Sequence, residues 1–157
     1  MTREQFITLT EQHQTAVRRY LVALCCGDSQ QADDLAQEAL IKAYLAMDNL
    51  DDPQKFKPWV YRIACNTFLD SRRSVRHTTG VEDAASLSSP ETSDSAFRYQ
   101  ALYRALQLIP DKERLSILLF YMEGYSVKEI SEITGASQEA VRQQLSRGRK
   151  HLKEILE

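Results

Sequence analysis

The stretch from Tyr125 to Ile155 constrains the fold more than any other, because two helical patterns meet there across a single glycine. Ser126 followed by Glu129 is a capping box, in which each side chain satisfies a backbone N–H that the helix start leaves open. Ile130 and Ile133 give that short helix its apolar side, and Gly135 stops it. Ser137 caps a second helix, whose Val141, Leu145, Leu152, Ile155 and Leu156 fall on one stripe. At about 100° per residue the other side carries Glu139, Gln143, Ser146 and Lys150, with Gln138, Arg142, Arg147 and Lys153 flanking them. Arg, Gln and Glu can bond base edges, and Lys and Arg neutralise phosphates. A helix, a glycine turn and a second helix with that outward face are what reading a DNA major groove requires. An amphipathic helix with an ordinary solvated basic face has the same pattern.

The net charge of −2 over 157 residues sits oddly with nucleic-acid binding until its distribution is followed. Asp28, Asp33, Asp34, Glu38, Asp48, Asp51 and Asp52 crowd a region with Lys42 as its one counterweight. Lys55, Lys57, Arg62, Arg72, Arg73 and Arg76 follow, against Asp70 alone, and Glu82, Asp83, Glu91 and Asp94 then make an acidic segment. Alternating blocks of this kind suit separate surfaces for separate partners.

Helical periodicity dominates, and no strand-like alternation of any length occurs. Thr2 with Gln5 opens a first helix, with Phe6, Leu9, Val17, Tyr20, Leu21 and Leu24 on its core side and Gly27 at its end. Asp28 with Gln31 starts a second, running to about Asn49, and Pro58 suits the first turn of a third that continues to about Arg76. The run from His77 to about Ser95 is rich in Ser, Thr and acids, as a flexible linker would be. Helical pattern resumes at Ala96, and Pro110 introduces the helix that leads to the capping box. The expected fold is therefore all-α, two small helical domains joined by a flexible acidic linker.

Two further helix faces carry chemistry. On the second helix, opposite the Ala32, Ala36, Ala39, Leu40, Ala43 and Met47 stripe, lie Asp34, Glu38, Ile41 and Leu45, with Gln37 beside them. Carboxylates interleaved with aliphatics suit a docking strip for a partner helix with basic residues around an apolar seam. The pattern equally allows Ile41 and Leu45 to pack within the chain. On the third helix a stripe of Trp59, Arg62, Asn66, Asp70 and Arg73, with Lys57 nearby, combines an aromatic, an amide and cations. Such a ridge can stack on unpaired bases and hold phosphates, although a lone Trp59 would equally serve as core.

There is no GxxxxGK[ST] loop, GxSxG elbow or HExxH pair, and His13, His77 and His151 stand far apart. Cys25, Cys26 and Cys65 form no metal-ligand spacing and read as buried, reduced thiols. No enzyme activity, catalytic residue, metal or cofactor is expected. No apolar run approaches the roughly 20 residues of a membrane span, and the N-terminus has no secretory-signal pattern, so membrane insertion is not expected and a cytoplasmic location is.

Together these segments resemble the sigma-70 family, specifically its extracytoplasmic-function (ECF) sigma factors. ADDLAQEALIKAYLAMDNL (Ala32–Leu50) is similar to the region 2.2 helix that docks on the clamp helices of the RNA polymerase β′ subunit. KPWVYRIACNTFLDSRR (Lys57–Arg73) is similar to regions 2.3 and 2.4, which melt and recognise the minus-10 element. The run Leu108–Leu156 resembles region 4, which reads the minus-35 element and contacts the β flap. The resemblance implies a region 2 domain over 1–77, a linker over 78–95 and a region 4 domain over 96–157.

It further implies that Asp34, Gln37, Glu38, Ile41 and Leu45 bind core polymerase. Lys57, Trp59, Arg62, Asn66, Asp70 and Arg73 would engage the minus-10 element, and Gln138, Glu139, Arg142, Gln143, Ser146, Arg147 and Lys150 the minus-35 element. The implied partners are core RNA polymerase, promoter DNA and an anti-sigma protein, with the free chain a monomer. A stand-alone helix-turn-helix regulator is the competing reading. It has no use for the Asp34/Gln37/Glu38 strip.

Overall fold

The structure is a computed structural model that describes residues 1–78 and 94–157, with side chains at 1–74 and 99–157. The described residues contain seven α-helices: α1 (Arg3–Leu24), α2 (Ser29–Leu45), α3 (Phe56–Thr78), α4 (Asp94–Gln107), α5 (Asp111–Tyr121), α6 (Val127–Thr134) and α7 (Gln138–Leu156). Of the linker expected over 78–95, Thr78 closes α3 and Asp94 and Ser95 open α4, and the rest lies outside the described residues.

Local chemistry sets most boundaries. The Thr2 hydroxyl accepts from the Gln5 N–H at 3.2 Å while the Gln5 side-chain oxygen Oε1 accepts from the Thr2 N–H at 3.0 Å, the first capping box. Asp28 caps α2 by accepting from the Gln31 N–H at 3.1 Å. The sequence pattern places the end of α1 at Gly27, but the left-handed residue is Cys26, at φ 55°. Its N–H reaches the Ala23 carbonyl at 3.0 Å and the Gly27 N–H reaches that of Val22 at 2.9 Å, a Schellman turn. Gly27 follows at φ 91°, and a Cβ there would lie 2.9 Å from the Tyr103 ring, so glycine is required twice over. The α2 helix ends at Leu45 rather than near Asn49, because Met47–Asn49 tighten into a 3₁₀ turn.

Helices α1, α2 and α3 form one unit, with α2 against both of the others. Ala32, Ala39 and Ala43 are fully buried on α2, small residues that let its neighbours approach closely. Edge-to-face pairs Phe6–Phe56 (ring centroids 5.8 Å apart) and Tyr20–Tyr61 (5.2 Å) fill the space between α1 and the start of α3. The second unit is built on α5 and α7. A Cβ on Gly148 would stand 2.8 Å from Ile117, so this glycine sets how closely those two helices pack.

The two units are not apart. One continuous apolar core runs from Phe6 and Tyr20 through Tyr61 and Phe68 to Leu106, Leu115 and Val141. Helix α5 touches α1, and α6 lies on α3. Arg114 of α5, 3% exposed, fastens the joint. Its guanidinium donates to the Leu24 carbonyl at 2.8 Å, the last residue of α1, and to the carbonyls of Leu106 (2.8 Å), Gln107 (3.4 Å) and Ile109 (3.4 Å) at the end of α4. One cation thus satisfies open carbonyls at two helix C-termini, where the helix dipoles favour positive charge.

Candidate nucleic-acid interface

The helix-turn-helix is formed as the caps require. Ser126 and Glu129 exchange bonds of 3.2 and 3.0 Å, Gly135 sits at φ 80°, and the Ser137 hydroxyl accepts from the Ala140 N–H at 3.1 Å. Helix α7 is oriented by its inner side. Val141 and Leu145 are buried, Gln144 accepts from the Ser116 hydroxyl at 2.5 Å, and the His151 ring lies 2.8 Å from the buried Glu113 carboxylate. That leaves Gln138, Glu139, Arg142, Gln143, Ser146, Arg147 and Lys150 all exposed in one row. The end of the expected apolar stripe behaves differently: Ile155 and Leu156 are exposed.

The ridge on α3 is also present. Arg62, Asn66, Asp70 and Arg73 are exposed, while Lys57 and Trp59 are half-buried, with Trp59 packed against the core beside Phe56 (6.0 Å between ring centroids). Its neighbours are not idle. Arg62 donates to the Glu132 carbonyl of α6 at 3.3 Å, Arg72 to Asp111 at 3.3 Å, and the Tyr61 phenol to Glu123. Burial, then the bond to Glu123, holds the Tyr61 phenol far above its usual range, so it stays a donor. Asp70 pairs with Arg73 at 3.8 Å, a solvated i,i+3 contact.

On α2, Asp34, Gln37 and Glu38 are exposed, and Ile41 and Leu45 are 61% and 78% exposed. Among the described residues, then, these two aliphatics are not packed into the core. An apolar groove of about 530 Å³ lies between α4, α5 and α7, lined by Leu102, Leu106, Leu118, Met122 and Leu152 among others. Met122, the residue that follows α5, is exposed.

Cys25, Cys26 and Cys65 are buried and free, as read from the sequence, and burial pushes the Cys25 and Cys65 thiols up to about 12. Among the described residues no cluster of His, Cys, Asp or Glu could hold a metal, and no helix is long and apolar enough to cross a membrane. Sequence reasoning missed Gln144, Gly148, His151 and Arg114. The first three share the face of Val141, Leu145 and Leu152, and a polar or glycine residue interrupting an apolar stripe is the signal that points to them.

Comparison with known proteins matches the two units in chain order. Residues 9–78 match the Sigma-70 region 2 family, and residues 99–152 match the family described as Sigma-70, region 4. The chain is 31% identical over 145 residues to the ECF RNA polymerase sigma factor SigW of Bacillus subtilis, covering 83% of this chain and 78% of SigW. It is 33% identical over 132 residues to the probable RNA polymerase sigma factor RfaY of Xanthomonas campestris, although it spans only a third of that protein. Its fold superposes on the sigma factor RpoE of Bartonella quintana, solved in complex with the anti-sigma factor NepR, with a TM-score of 0.80, 25% identity and 96% of each chain covered. The chain belongs to the ECF branch of the sigma-70 family of RNA polymerase sigma factors.

Proposed function

We propose that this protein binds core RNA polymerase, brings it to two-part promoters and helps open the DNA there, leaving the chemistry of RNA synthesis to the polymerase. The observation that carries this reading is the α2 strip. Two aliphatics stand in solvent among Asp34, Gln37 and Glu38, a pattern with no use in a self-sufficient DNA-binding regulator. A helix with basic residues around an apolar seam, the chemistry expected of the β′ clamp helices, would cover it. The apolar groove beside α5 offers a second helix-sized seat, suited to the β flap.

In this reading Arg142, Gln143, Ser146 and Arg147 contact base edges and phosphates of the minus-35 duplex, with Gln138, Glu139 and Lys150 at the margins of that contact. Trp59, Arg62 and Asn66 receive the minus-10 strand, where stacking and amide bonds offset the unstacking of an extruded base. Lys57, Asp70 and Arg73 position its backbone. Each half binds weakly alone, and polymerase holds both on one template at high effective concentration. The domain limits proposed are 1–77 and 96–157, and the place of action is the cytoplasm, where the chromosome is.

Run-off transcription with sigma-free core polymerase and a promoter library is the test. Promoter-specific transcripts only when the protein is added support the reading. Tight operator binding without polymerase, and no transcript, would replace it with the stand-alone regulator.

A further inference from the structure

We infer that the apolar groove between α4, α5 and α7 seats a single-chain anionic amphiphile, a free fatty-acid carboxylate, whose binding displaces the polymerase from that groove. The binding stands on the groove itself, and its effect on transcription rests on the sigma-factor reading above. The floor is made of buried aliphatics, Leu106 of α4 with Ile117 and Leu118 of α5. Ala23, near the end of α1, joins the lining, so four helices contribute to the walls. The volume of about 530 Å³ lies within the roughly 300–1,000 Å³ of small-molecule sites.

Charge decides the class of ligand. Arg149 of α7 and Tyr121 of α5 line the groove and are exposed, which puts them at its rim. The guanidinium donates to the Tyr121 hydroxyl at 3.2 Å, a neutral acceptor, and forms no ion pair among the described residues. A cation with spare donors beside an apolar floor fits a carboxylate whose alkyl chain lies inside. The α2 strip has the opposite sign, since Ile41 and Leu45 stand among Asp34 and Glu38. An alkyl anion therefore suits the groove and is repelled by the strip. Because the groove is also the seat proposed for the β flap, the two occupants exclude each other. At ten times its dissociation constant the amphiphile would weaken flap docking about eleven-fold.

The test titrates the full chain with decanoate below its micelle concentration, by calorimetry near neutral pH where the carboxylate is ionised. One-to-one binding is expected, about ten-fold tighter than for decyltrimethylammonium, which has the same chain length and the opposite charge. Each methylene removed from the acid should weaken binding about four-fold. Arg149→Gln should erase the ten-fold preference by weakening decanoate alone. Leu102→Glu, on the groove wall, should abolish decanoate binding with helicity unchanged by circular dichroism, and Leu102→Trp, which fills the space, replaces it if helicity is lost. In run-off transcription decanoate should lower the promoter-specific yield, and Arg149→Gln should raise the concentration needed about ten-fold. Equal binding of both amphiphiles, or decanoate binding that survives the variants, overturns the proposal. A chain that binds no decanoate yet pellets with phosphatidylglycerol vesicles, or dimerises through Leu102, gives the groove to a membrane or a second copy and overturns it too. Decanoate binding that leaves transcription unchanged overturns the displacement. Absence of any promoter-specific transcript, with or without decanoate, overturns the sigma reading instead, while calorimetry still reports the ligand.

Discussion

Helices α3 and α7 carry similar patterns, an apolar side and a row of Arg, Gln or Asn on the other, yet they stand in opposite situations. The anchors of α7 come from α5 of its own unit, Ser116 and Glu113, and they bind its inner side. Its outward row is left to solvent. Helix α3 lies at the joint, and partners from the other unit reach round to its polar flank at Arg62 and Arg72. A basic face written in sequence therefore shows what a helix can bind, and its neighbours in the fold decide whether that face is vacant.

The widest break in this contrast is Arg114→Ala. It leaves helix-end carbonyls of both units without their buried donor, and urea unfolding should register a loss of about 3 kcal/mol. Gly148→Val comes next. Overpacking Ile117 should cost about 2 kcal/mol and tilt α7, weakening minus-35 recognition while leaving α3 unaffected, as footprinting would show. Arg142→Ala should cost about 1.4 kcal/mol, tenfold, in minus-35 selectivity with an unchanged melting temperature. Glu38→Ala should instead weaken polymerase binding on every promoter alike, measured by competition for core enzyme.

The smallest effect concerns pH. Burial, then the charge of Lys57, lowers the His13 pKa below 6.5, so the unfolded chain takes up that proton first. The contribution is complete above 6.5 and declines as pH falls through it toward the lower folded value. His13→Gln should flatten that slope in melting curves.

Much of this was legible because it is local. Both capping boxes, Gly135 and the row on α7 follow from side chains a few residues apart. The exposure of Ile41 and Leu45 among the described residues favours one of two alternatives that spacing alone left even. What escaped is long-range. The bonds from Arg62 to Glu132 and from Arg114 to Leu24 bridge 70 and 90 residues, and no periodicity records which distant carbonyl a guanidinium will find. Cys26 at positive φ escaped for another reason: the neighbouring glycine is the better candidate on conformational grounds, and the Tyr103 ring claims it for a packing role as well.

The placement of Arg114 divides its bonds unequally across the joint. Its side chain holds three carbonyls belonging to its own half and only one, that of Leu24, belonging to the other. Only the bond to Leu24 crosses the joint, and the other three fasten the C-terminal half to itself. The guanidinium is thus a clasp sewn to one side of the cloth, and the continuous apolar core holds the two sides together.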